Sequence, residues 1–132
     1  MKLLVVATAL GPLGSGRGGG VELTLAGLVA GLLQRGHRIT VLAAEGSQLP
    51  VDCAAADLWS CGGSPQPSVQ HQGREALITM PADALLARFW RRVLAEAPAA
   101  GFDAVLNLGY DWLPFWLTPT APLPLFHLVS MG

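Results

Sequence analysis

Charge is scarce in this sequence. Only 13% of its 132 residues are charged, and nine acidic against eight basic side chains leave a formal net charge of −1. That balance provides no field to steer the chain toward nucleic acid or an anionic membrane surface, so neither is expected as a partner. A disordered chain is excluded from the other side, because 52% of the residues are hydrophobic and can offset the entropy of folding. Cysteine is nearly absent. Cys53 and Cys61 stand without a Cys/His cluster, which makes neither a zinc site nor a disulfide framework and predicts reduced thiols in a cytoplasmic protein.

Long hydrophobic runs are lacking too. The stretch from Val21 to Leu33 is too short to span a bilayer and carries Glu22 at its start. Lys2, an apolar run and Ala7-Thr8-Ala9 imitate a signal peptide. The apolar part before Ala7 is nevertheless shorter than the roughly 7–15 residues of a secretory core. No Gly-Lys-Ser/Thr follows the glycines, which excludes a Walker-type loop. No internal repeat and no linker divide the chain, so residues 1–132 read as one domain.

What is present is a strand–helix alternation. Residues 3–8 read as a buried strand, and residues 9–17 as a loop rich in Gly and Pro. From about Gly20 to Arg35 the apolar residues Val21, Leu25, Leu28, Val29 and Leu32 recur at helical spacing. Gly36 suits the left-handed position that ends a helix, and residues 39–44 form a second strand. Gly27 and Gly31 are expected to let this helix sit close to the sheet. Residues 45–78 are less regular, with strand-like pieces around 54–58 and 76–79. Pro81 suits a helix start, and Leu85, Leu86, Phe89, Val93 and Leu94 make an apolar face, with Arg88, Arg91 and Arg92 in water. Residues 104–108 and 123–129 read as further strands, with a short turn or helix over 112–117. The pattern predicts a Rossmann-like, doubly wound, mainly parallel α/β sheet.

Gly18-Gly19-Gly20 at the head of the first helix is the chemical signal. Glycines admit a close backbone approach, the first helical amides are free to donate, and the helix dipole favours an anion there. The glycines read as a phosphate cradle; the plain alternative is a loop that merely turns the chain. Gly14-Ser15-Gly16-Arg17-Gly18-Gly19 formally matches the dinucleotide fingerprint, and Glu45 ends the second strand where a ribose-binding acid would sit. The long loop after the first strand argues against that reading, because dinucleotide loops begin almost directly after the strand.

Gly18-Gly19-Gly20-Val21-Glu22, with residues 28–37 and Ile39-Thr40-Val41-Leu42, resembles the opening of family-4 retaining glycosyltransferases of the two-domain GT-B fold. The stretch from Asp103 to Pro114 is similar to that family's strand end bearing histidines, although Asn107 and Tyr110 stand here where histidines are usual. Pro124-Leu125-Phe126-His127 is similar to a second strand end, whose histidine reaches the donor sugar or acceptor. A narrower resemblance, in Gly11 to Gly16, Tyr110 to Pro114 and Ser130-Met131-Gly132, is to glucosyltransferases that move glucose from UDP-glucose to a pterin.

The resemblance implies the acceptor-side, N-terminal half of a GT-B enzyme, incomplete at its C-terminal end. A donor-binding domain is then expected in cis or in trans, and this chain alone is expected to be inactive. The substrates implied are a nucleotide sugar, UDP-glucose foremost, and a small acceptor; no cofactor or metal ion is expected. Gly18, Gly19 and Gly20 would hold the distal phosphate. His127 would be the catalytic contact, with a histidine satisfied within its own loop as the alternative. Asp111 would meet a substrate hydroxyl, orient His127 or cap the turn at Trp112, and Trp112 and Trp116 would stack on a flat acceptor or fill core. Glu22 complements the helix dipole, and His37 and His71 are expected to face solvent. Two other functions fit the same fold: a non-catalytic subunit that binds a small molecule or partner, and a nicotinamide-dependent oxidoreductase.

Overall fold

The computed structural model describes residues 1–65, 83–109 and 112–129. Five strands run through it: β1 (Lys2–Val6), β2 (Arg38–Ala44), β3 (Asp57–Cys61), β4 (Ala104–Asn107) and β5 (Leu125–His127). They form one sheet in the order β3-β2-β1-β4-β5, and every neighbouring pair is parallel. Val5 sits opposite Val41 on one side and Leu106 on the other, which places the first strand at the centre. This is the α/β, doubly wound arrangement that the alternating sequence predicts.

Side chains of β1 alternate between two cores because a strand has a period of two. Leu3 and Val5 join Ile39, Val41 and Ala104 under α1 (Gly20–Gln34), which contributes Leu25 and Val29. Leu4 and Val6 join Leu42 and Val105 under α2 (Leu85–Glu96), which contributes Leu85, Leu86, Phe89, Trp90 and Val93. Covering both faces is what makes the strands near-continuously apolar. Gly36 takes φ +87° and ends α1 in a Schellman motif: its N–H donates to Leu33 O at 3.0 Å, and His37 N–H to Leu32 O at 3.1 Å.

Several local expectations are corrected. A Cβ built on Gly27 or Gly31 meets nothing within 4 Å, so neither glycine serves a close approach to the sheet. The irregular stretch yields a 3-10 turn at Val51–Cys53 and then β3, whose ends lie three residues later than those of the piece predicted at 54–58. The last strand is only Leu125–His127, because its ladder with β4 pairs just three residues, Val105 to Asn107 with Leu125 to His127. Arg92 is not simply solvated. Its guanidinium lies 4.5 Å from the Trp59 ring centroid, donates to Ser60 O at 2.9 Å and pairs with Glu96. His37 is half-buried, with Nδ1 at 3.1 Å from the Met1 amino group. The predicted piece at 76–79, Pro81 and His71 lie outside the described residues.

Candidate functional site

The loop of residues 7–19 leaves the C-terminal end of the central strand. The two connections that start there diverge: α1 lies on one face, while α3 (Trp112–Leu117), which follows β4, packs Leu113 and Leu117 on the α2 face. Such a switch point opens a crevice at the strand ends, where open α/β sheets gather ligands. Gly18, Gly19 and Gly20 stand on its α1 side.

Backbone hydrogen bonds sort these three glycines. Gly19 N–H donates to Gly16 O at 3.1 Å and is used inside the loop. Among the described residues, no acceptor meets Gly18 N–H or Gly20 N–H. Gly19 is the N-cap of α1 with φ +58°, a region that L residues enter at a cost. Gly18 is needed for space: a Cβ there would lie 2.8 Å from Glu22 Cγ and 3.3 Å from Thr8 Oγ1. Glu22 does more than complement the dipole. Its Oε1 accepts from Gly14 N–H at 2.6 Å, which clamps the front of the loop onto the first turn of α1. Behind this clamp lies a cavity of about 400 Å³, walled by Leu13, Leu23, Leu25 and Ala26, with Glu22 and Gln48 among its polar residues.

His127 ends β5 on the other flank of the sheet. Its Nδ1 lies 3.0 Å from Asn107 Nδ2, and its Nε2 lies 2.7 Å from Thr118 Oγ1. The roles are fixed by what surrounds them. Asn107 Oδ1 already accepts from Gly109 N–H at 2.9 Å, so the amide is turned with Nδ2 toward the ring. Nδ2 donates to Nδ1, which must be unprotonated. Nε2 then carries the hydrogen and donates to Thr118, whose hydroxyl donates to Pro114 O at 2.9 Å. Burial holds the imidazole pKa below its ordinary value of 6.5, consistent with a neutral ring. Phe115 stacks beside it, with centroids 4.4 Å apart and planes 34° apart. Both ring nitrogens are therefore engaged within the protein.

The structure does not draw all the predicted residues into one pocket. Gly19 lines the cavity, whereas Trp112 and His127 do not. Trp112 is 43% exposed and meets Trp116 edge to face, with centroids 6.3 Å apart. Asp111 and Tyr110 lie outside the described residues, as do residues 130–132. Nothing in the sequence marks Thr118, and Asn107 stands out there only as a departure from the usual histidine. A lone amide ending a strand as apolar as β4 is the signal that something must satisfy it.

The sulfur groups are passive. Burial, then the Asp52 charge, pushes the Cys53 thiol up; burial does the same for Cys61, outweighing Arg92 and Arg88. Among the described residues, no three His, Cys, Asp or Glu side chains are gathered as a metal site would need. No described helix is long and apolar enough to cross a membrane. No protein-family model matches the chain, and no curated protein matches it.

Proposed function

We propose that this chain forms the acceptor-side domain of a retaining, nucleotide-sugar-dependent glycosyltransferase. One observation carries the reading: Gly18 and Gly20 present amides that meet no acceptor among the described residues, at the head of α1 beside the central strand's switch point. The leaving nucleoside diphosphate accumulates negative charge as its bond to the sugar's anomeric carbon breaks and the acceptor oxygen takes its place, and fixed amides stabilise that charge without reorganising. The sequence resemblance supports the same assignment, with UDP-glucose as donor and a small flat acceptor such as a pterin. A second, donor-binding domain supplied in cis or trans completes the reaction. His127 would contact a sugar or acceptor hydroxyl by exchanging its Thr118 partner for the ligand, since Nε2–H is the donor it has to offer. Asp111 and Trp112 would hold the acceptor.

Binding tests the phosphate role without requiring turnover. Titration of the ¹⁵N-labelled chain with UDP-glucose should shift the Gly18 and Gly20 amides saturably, and UDP should reproduce the shift while glucose does not. Shifts produced by NADH but not by UDP-glucose would instead identify a nicotinamide-dependent oxidoreductase. Silence of both amides toward all of these ligands would remove the phosphate role of the glycine loop.

A second reading has its own observation. The internal saturation of both His127 nitrogens fits a non-catalytic subunit in which that histidine joins β4, β5 and the turn at Thr118. His127→Gln tests that histidine's part: unchanged ligand-induced amide shifts in the folded variant assign His127 to structure alone.

A further inference from the structure

The cavity behind the glycine loop has a chemistry different from that of the loop's free amides. Its walls are apolar: Leu25 is buried at its floor, and Leu13 and Ala26 flank it. Leu23 stands at its mouth, 79% exposed, an apolar side chain with little to cover it in the protein. The described lining holds one charged group, the Glu22 carboxylate, and no lysine, arginine or histidine. Gly14 N–H occupies Oε1 of that carboxylate, and Oε2 accepts from no donor among the described residues. A carboxylate offers about four acceptor positions, so most of its capacity is unspent. Its volume of about 400 Å³ falls in the range of small-molecule sites, which pair apolar walls with a few fixed polar groups.

An anion does not belong there. It would lose its water beside a carboxylate of the same sign, with no cation in the described lining to offset the cost. We infer that this cavity binds a small amphipathic organic cation, with a planar amidinium or guanidinium head on Glu22 and an apolar body against Leu13, Leu23 and Leu25. A planar head with two parallel N–H groups matches a carboxylate bidentately, giving direction as well as charge. The inference stands on the cavity alone and survives if the glycosyltransferase reading fails.

Benzamidine is the probe, with benzamide as its neutral isostere and benzoate as its anionic one. In titrations of the intact ¹⁵N-labelled chain, benzamidine should shift the Gly14, Gly16 and Gly19 amides saturably, with a dissociation constant on the order of 1 mM or tighter. Benzamide should bind at least tenfold more weakly and benzoate not at all. Glu22→Gln should weaken benzamidine at least tenfold, but it also loosens the Gly14 clamp. Leu23→Arg keeps the clamp: an exposed residue becomes a cation at the mouth, and benzamidine binding should be lost with the melting temperature unchanged. Equal binding of benzamide and benzamidine, shifts centred away from the cavity, or unchanged affinity in Leu23→Arg would overturn the inference. The UDP-glucose titration reads Gly18 and Gly20 instead, so each proposal can fail without the other.

Discussion

Asn107 Nδ2 lies 3.0 Å from His127 Nδ1, and this contact forces the imidazole into one tautomer. The direction follows from Gly109 N–H, which claims the amide oxygen and leaves only the NH₂ group to face the ring. From Asn107 to His127, Thr118 and Pro114 O, each group donates to the next. The chain joins β4 to β5 and to the turn that follows α3.

That tautomer is directly measurable. Long-range ¹H–¹⁵N NMR at pH 7.5 should find His127 neutral, with the hydrogen on Nε2. Asn107→Leu keeps the volume but strips Gly109 and His127 of their partner; leaving buried polar groups unpaired costs about 1–3 kcal/mol each. Denaturant unfolding should show a loss of that order, together with a mixed tautomer. An unperturbed tautomer in Asn107→Leu would mean that Thr118 alone sets it.

Acid should weaken the fold through the same ring. Burial lowers the folded-state pKa of His127 beneath its ordinary 6.5. On acidification the unfolded chain therefore takes up its proton first, and protonation favours unfolding. Stability contributed by the neutral ring is complete above the unfolded value and declines as pH falls through it toward the folded one. Unfolding midpoints measured from pH 7.5 to pH 5 should fall less steeply in His127→Gln than in the parent chain.

The three loop glycines should respond differently to substitution. At Gly20 a Cβ meets nothing within 4 Å and the position requires no positive φ, so Gly20→Ala should leave the fold intact or raise its stability by up to about 1 kcal/mol. Gly19→Val meets no steric obstacle either, but φ +58° makes a β-branched residue costly, by about 1–3 kcal/mol. Gly18→Ala pushes on Glu22 and should release the Gly14 clamp. In the transfer-competent enzyme, Gly19→Val should also lower turnover, because a residue that leaves φ +58° re-aims the flanking Gly18 and Gly20 amides; displacing one such donor costs about a hundredfold. Circular dichroism and steady-state kinetics together read all three.

Trp90 anchors the α2 face of the sheet. It is 2% exposed and packs within the core that includes Leu4, Leu42 and Val105. Trp90→Ala should cost roughly 3–5 kcal/mol in chemical denaturation, the usual loss for a buried aromatic. Arg91→Ala, next to it but exposed, should change stability by less than about 0.5 kcal/mol.

The flank around β5 should be sticky. Phe126 is 58% exposed on an edge strand, Val129 54%, and Trp116 on α3 78%. Exposed apolar surface beside an open strand edge favours association. Sedimentation velocity should show concentration-dependent self-association, reduced in Phe126→Lys. Equal sedimentation of both proteins across concentration would show that this flank carries no association.

Strand and helix identity could be read from the chain because it depends on local repetition. Continuous apolar runs at residues 3–8 and 39–44 admit little but buried parallel strands, and the spacing of Leu25, Leu28, Val29 and Leu32 admits little but a helix face. Gly36 announced its helix end for the same reason: left-handed backbone strongly favours glycine. Glu22 and Asn107 were different. In one dimension each is a polar residue with several plausible roles, and Glu22 was credited only with the dipole. Its grip on Gly14 exists because the loop folds back over the helix start, and Asn107 meets His127 because β5 lies beside β4 in register. The burial of Trp90 on α2 is hidden for a related reason, since which side of that helix is buried depends on how it lies across the sheet. Periodicity is a property of neighbours along the chain, whereas a hydrogen-bond partner or a cavity wall arrives from a distant segment whose path the fold alone specifies.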